Sequence, residues 1–324
     1  MQKPLKILVV RFSSIGDIVL TSPVVRCLKN QLNSKVHFLT KSKYECIVRH
    51  NIFIEKIYTI ENSVNDVISE LKLENYDYIV DLHNNIRSFR LKLLGVKTFK
   101  VCKESFKKSV YIKLGINLLS KDHVVDRYMK TIDFFNIKND NKGLDYFLGS
   151  DVKVNFDVDQ KYLIWCIGAS FSNKKISINQ IAETCSKVNF PVVLIGGNED
   201  SISANKIIEF SSNNNITNFC GLLSLDQSAF LIKKSCLVIS NDTGPMHIAA
   251  AFKKQIISLW GCTKPSLGFY PYMTNSESIM IVSEKSKRPC SKHGSYCRFS
   301  SKGCVKDIPS QEISEAISDL IFIE

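Results

Sequence analysis

Several short segments of the chain combine side chains able to take protons, hold phosphate or bind metal. Ser13-Ser-Ile-Gly-Asp17 follows an apolar run and ends in a carboxylate at an expected helix start. Such an acid can accept a proton from a hydroxyl nucleophile, or it can serve only as a helix cap. In Asn241-Asp-Thr-Gly-Pro-Met-His247, residues Asp242, Thr243 and Gly244 form a turn into a helix. The free N–H groups and positive dipole end of that helix suit phosphate, with His247 in its first turn. A capped turn beside a core histidine fits the same residues. Gly168-Ala-Ser-Phe-Ser-Asn-Lys-Lys175 offers Ser170, room for close backbone approach, and two lysines that either neutralise a pyrophosphate or face solvent. Gly196-Gly-Asn-Glu-Asp200 carries acids that could accept from ribose hydroxyls or cap a helix. Finally, Cys290, Cys297 and Cys304 are equally spaced, with His293 between the first two. A Cys3His zinc site is conceivable, but no Cys-x2-Cys pair is present. The expectation is therefore loop thiols, reduced or able to form disulfides, and no bound metal.

Four of these segments lie at the carboxyl ends of apolar, strand-length stretches, where open α/β sheets bind ligands. Residues 5–12, 36–40, 78–82 and 98–102 read as strands, with amphipathic helices over 23–32, 64–73, 86–94 and 122–135. Residues 136–159 turn polar, and the rhythm restarts with strands at 162–168, 192–196, 236–240 and 256–260. Near-continuous apolar character along the strands points to parallel strands covered on both faces. The expected architecture is α/β, with two Rossmann-like domains of parallel sheet facing a central cleft. Their limits are 1–150 and 151–308, followed by a helix over 309–324.

Composition narrows the class. The 324 residues are 44% hydrophobic and carry 43 basic against 31 acidic side chains, a net charge of +12. No apolar run approaches the ~18 residues of a membrane span, and the start lacks the apolar stretch of a secretory signal. Most of the eleven cysteines sit singly in apolar stretches, as reduced core thiols do. A cytoplasmic protein with anionic partners is expected. A single glycine in the first segment is too few for a dinucleotide fingerprint, and no phosphate-loop Gly-x4-Gly-Lys motif occurs.

Two longer stretches carry a resemblance. Arg11-Phe-Ser-Ser-Ile-Gly-Asp-Ile-Val-Leu-Thr-Ser-Pro23 and Asn241-Asp-Thr-Gly-Pro-Met-His-Ile-Ala-Ala-Ala251 resemble the two signatures of glycosyltransferase family 9. These are the heptosyltransferases of the lipopolysaccharide inner core. Asp81-Leu-His-Asn-Asn-Ile-Arg87, His123-Val-Val-Asp-Arg-Tyr128 and Trp260-Gly-Cys-Thr-Lys-Pro265 are also similar to family segments. The resemblance implies a GT-B fold, the last helix packing back on the first domain, and inverting transfer that needs neither metal nor cofactor. It makes Asp17 the catalytic base and Lys174 the lysine that neutralises the donor pyrophosphate. Lys175 is the fallback, because Ser177 stands where the family has a proline. Asp242, Thr243, Gly244 and His247 match the donor-phosphate loop, with Ser170 nearby. Asp200 matches the acid that holds the ribose, with Glu199 one position away. Ser14, Gly16, Asn85, Arg87 and Arg127 fall on the acceptor side.

The implied donor is ADP-L-glycero-D-manno-heptose or a related nucleotide sugar. The implied acceptor is lipid A bearing Kdo, or core lipopolysaccharide. A different donor or glycan acceptor, or a non-catalytic nucleotide- or glycan-binding GT-B protein, is the alternative. From Arg87 to Lys113 nine basic residues meet one acid, Glu104, and from Lys264 to Lys306 eight meet Glu277 and Glu284. Such clusters suit a phosphorylated glycolipid and the anionic inner face of the inner membrane. The first cluster is assigned to the acceptor side. No nucleic-acid motif accompanies either cluster.

Overall fold

A computed structural model describes residues 3–301 and 303–321. Strand β1 (Lys6–Val10) starts a five-stranded sheet with β2 (Lys35–Lys41), β3 (Lys56–Ile60), β4 (Tyr78–Asp81) and β5 (Thr98–Lys100). The order is β3-β2-β1-β4-β5, all parallel. Ile7, Leu8, Val9 and Val10 are fully buried, as a strand covered on both faces requires. The second sheet comprises β6 (Leu163–Cys166), β7 (Val192–Ile195), β8 (Ile216–Asn218), β9 (Leu237–Asn241), β10 (Gln255–Trp260) and β11 (Ile279–Val282). Its order is β11-β10-β9-β6-β7-β8, again all parallel.

The chain divides into two compact units. One is 1–103 with 122–149; the other is 104–121 with 150–324. Two expectations change here. The stretch 104–121, read as part of the first domain, belongs to the second unit through its helix Ser105–Leu114, whose Tyr111 hydroxyl meets Ser266 Oγ at 3.2 Å. The helix Ser310–Ile321, expected to return to the first domain, buries Ile313, Ala316, Ile317 and Leu320 in the second unit's core. There they pack with Leu163, Trp165, Ile181 and Leu194, because the helix Ile178–Val188 leaves an apolar face for them to cover.

In each sheet the strand order reverses at one point, and there two strand ends open side by side. In the first unit the point lies between β1 and β4, which hold segments 11–17 and 81–87. In the second it lies between β6 and β9, which hold segments 168–175 and 241–247.

Candidate functional site

In the first unit, the chain leaving β1 turns at Ser14 into the short helix Ile15–Val19, where Asp17 is the third residue. Ser14 Oγ and its backbone N–H donate to Asp17 Oδ2 at 2.8 and 3.2 Å, a capping box that fixes the carboxylate. Arg11 Nη2 lies 2.7 Å from Asp17 Oδ1. Arg11 in turn donates to the carbonyls of Ser13 and Leu82, and its guanidinium lies 5.7 Å from the Tyr128 ring centre. Burial opposes the charge on Arg11, and Asp17, Tyr128 and Asp81 more than offset it, so its pKa stays raised. Asp17 is thus a helix cap paired with a buried arginine.

At the end of β4, buried Asp81 accepts from the N–H groups of His83 and Asn84 at 3.0 and 2.7 Å. His83 packs its ring 5.0 Å from Phe12, and burial, with Arg11 and Lys103, lowers its pKa to about 3. Asn85 caps the helix Ile86–Phe89 by accepting from Arg87 and Ser88 N–H. Of the expected acceptor residues, Ser14 and Arg87 are exposed, Gly16 and Arg127 are buried, and Asn85 is spent as a cap.

In the second unit, the ammonium of Lys174 lies 2.8 Å from Asp242 Oδ2, so the loops after β6 and β9 meet there. Asp242 directly precedes Thr243, which starts the helix Gly244–Ala251 without a side-chain hydrogen bond to its first N–H groups. Pro245, at the start of that helix, is compatible with the uncapped turn. His247 is buried one turn in, and Ser170 is exposed on the β6 loop. Lys175 points elsewhere: its ammonium lies 2.5 Å from Asp200 Oδ1, while Asp200 Oδ2 accepts from Gly197 N–H at 2.9 Å. Asp200 is buried against Gly168 and Gly196, where any Cβ would come within 2.8 Å of its carboxylate. Its oxygens are therefore committed to the fold, and exposed Glu199 is the acid beside it. Ser177 caps the helix Ile178–Val188 in a box with Gln180, so a residue other than proline fixes the same helix start.

The loop cysteines come together with one the sequence did not single out. Sγ of Cys304 lies 3.7 Å from that of Cys290, 3.8 Å from Cys262 and 3.0 Å from Cys297. All four sulfurs lie within 4.8 Å of one another. His293 is exposed, and the fourth member of the group is Cys262, on the loop after β10. Arg11, His83, Tyr128 and Cys262 all lay inside quoted motifs, but only contacts between distant segments give them a role.

Residues 64–298 match the family model for glycosyltransferase family 9 (heptosyltransferase). The chain belongs to glycosyltransferase family 9. It is therefore a glycosyltransferase, and its two parallel-sheet units are those of the GT-B fold. Lipopolysaccharide heptosyltransferase 1 of Campylobacter coli is 25% identical over 98% of this chain and 99% of its own length. The crystal structure of a family 9 glycosyltransferase from Veillonella parvula superposes with a TM-score of 0.83 at 17% identity, covering 100% of this chain and 99% of that one. The ADP-heptose lipopolysaccharide heptosyltransferase II of E. coli gives 0.73 at 19% identity over 98% of each chain. No helix among the described residues is long and apolar enough to cross a membrane.

Proposed function

We propose that the chain transfers heptose from ADP-L-glycero-D-manno-heptose to the inner core of lipopolysaccharide, inverting the anomeric carbon. The observation that carries this reading is the Lys174–Asp242 pair at the uncapped start of the helix Gly244–Ala251. A diphosphate seated there would accept from Lys174 and from the free N–H groups of Gly244 and its neighbours, at the positive end of the helix dipole. Exposed Glu199, rather than committed Asp200, accepts from the nucleotide ribose. His247 is buried in the first turn of that helix, beside the diphosphate seat. The names of the Campylobacter and E. coli relatives support heptose as the sugar and, for the latter, ADP-heptose as the donor.

In the reaction, an acceptor hydroxyl oxygen attacks the anomeric carbon as the bond from that carbon to the β-phosphate oxygen breaks. Asp17 takes the hydroxyl proton, Arg11 and Ser14 hold the carboxylate in place, and ADP leaves with its charge offset by Lys174 and the helix N–H groups. The acceptor is a phosphorylated glycolipid at the inner face of the inner membrane. Along residues 86–94, Ile86, Phe89 and Leu93 are 90%, 56% and 62% exposed, interleaved with Arg87, Arg90 and Lys92. That pattern suits peripheral contact with an anionic bilayer. The test is incubation with ADP-heptose and heptose-deficient lipopolysaccharide. ADP release matched by one added heptose in inverted linkage is expected. Turnover of a UDP- or GDP-sugar instead would refute the donor assignment.

A further inference from the structure

We propose that Cys262, Cys290, Cys297 and Cys304 hold one zinc ion in a tetrathiolate site that braces the loop carrying Lys174. A tetrahedral centre with metal–sulfur bonds of ~2.3 Å places its sulfurs about 3.8 Å apart. The Cys290–Cys304 and Cys262–Cys304 separations of 3.7 and 3.8 Å meet that requirement without rearrangement, and Cys297 at 3.0 Å needs to draw back slightly. Cys262, Cys290 and Cys304 are fully buried. No histidine or carboxylate joins the four sulfurs among the described residues, so the donor set is soft and favours zinc over hard cations.

The backbone is shaped to bring the sulfurs together. Cys290 N–H donates to Cys262 C=O at 2.8 Å. Gly261 lies so close to Val305 that a Cβ would come within 2.4 Å of its backbone nitrogen. Binding displaces the thiol protons, so four thiols and Zn2+ give a doubly negative centre and release four protons to water. Lys264, buried on the same loop, donates to Ser283 C=O at 2.6 Å and so holds the β10 loop against the residues that follow β11.

The ring of ligands also touches the donor side. Gly303, at φ +94°, lies against Asn173, where a Cβ would come within 2.9 Å of that residue's Cα. Gly294 packs on the Lys174 side chain, and Asn173 Nδ2 donates to Ser295 C=O at 3.3 Å. A fixed metal centre therefore fixes the surface on which Lys174 rests. This bracing role depends on the proposed donor site; the metal site itself does not.

The experiment is elemental analysis and native mass spectrometry of the full chain purified without added metal. One zinc per chain is expected, with the four sulfurs unmodified. Exchange of the wild type into cobalt should give the intense visible bands of tetrahedral cobalt thiolate, a readout independent of any variant's folding. Cys262→Ser and Cys290→Ser should lose the metal. A folded chain free of metal, its sulfurs as free thiols or disulfides, would overturn the site, and stoichiometric iron would overturn the zinc assignment. In a zinc-free Cys290→Ser chain, KM for the donor should rise by about an order of magnitude, the scale for a misplaced positioning group. An unchanged KM would overturn the bracing role while zinc content still decides the site.

Discussion

Replacing Lys175 with alanine leaves the buried Asp200 carboxylate without its cation. The expected loss is about 2–3 kcal/mol, below that for a fully buried pair because the Lys175 side chain is partly exposed. Replacing Lys174, whose partner Asp242 is on the phosphate loop, should leave the denaturation midpoint nearly unchanged and raise donor KM by tenfold or more. Paired urea melts and donor titrations separate the two lysines; equal effects on stability would contradict the division of roles. The sequence shows two adjacent lysines and cannot tell them apart, because the distinction arises only where the β6 loop meets Asp200 and Asp242. His83 makes a second prediction. Its folded pKa of about 3 lies below the usual ~6.5, so unfolding lets it bind a proton. Its contribution is fully present above pH ~6.5 and is lost as pH falls towards 3. The wild type should therefore lose stability relative to His83→Asn on acidification, and a difference independent of pH would show that His83 protonates freely in the folded chain.

Among the elements, the strands buried on both faces were legible, since apolar residues dominate β1, β6, β7, β9 and β10. Of the edge strands, β5 was legible at 98–102, but β3, β8 and β11 were not. β3 reads Lys-Ile-Tyr-Thr-Ile, and β8 is only three residues of Ile-Thr-Asn; neither stands out from its loops. β11, with alternate residues exposed, stands out no better. The helix Ser310–Ile321 was found from its apolar face, but periodicity does not say which surface that face covers. Because Ile317 is buried in the second unit's core, Ile317→Ala should cost about 2–4 kcal/mol. Ser177→Ala, at the cap of the helix that receives it, should cost about 1 kcal/mol. Both are read from chemical denaturation, and an effect below ~0.5 kcal/mol at Ile317 would mean the helix does not close that core.

For the whole molecule, the net charge of +12 suits the two proposed anionic partners, a nucleotide diphosphate and a phosphorylated glycolipid. The first basic cluster divides between the two units, because Lys107, Lys108 and Lys113 belong to the second, and Lys108 is buried with its ammonium 5.2 Å from the Phe269 ring. Vesicles containing anionic lipid should bind the chain, and Phe89→Ser with Leu93→Ser should weaken binding severalfold without altering transfer to a detergent-solubilised acceptor. Equal binding by the double variant would remove residues 86–94 from the membrane contact. The two-unit plan and the candidate loops were legible because each loop ends a buried parallel strand. The sulfur cluster was not, since Cys262 joins the other three only through the packing of the β10 loop on residues 290–304. The central claim is heptosyl transfer with Asp17 as base, and it is tested most directly by single-turnover rates with ADP-heptose and heptose-deficient lipopolysaccharide for wild type and Asp17→Asn. The account predicts transfer by the wild type and a fall of about 10²–10⁴ in the variant, with ADP-heptose still bound. A variant as fast as the wild type would contradict it.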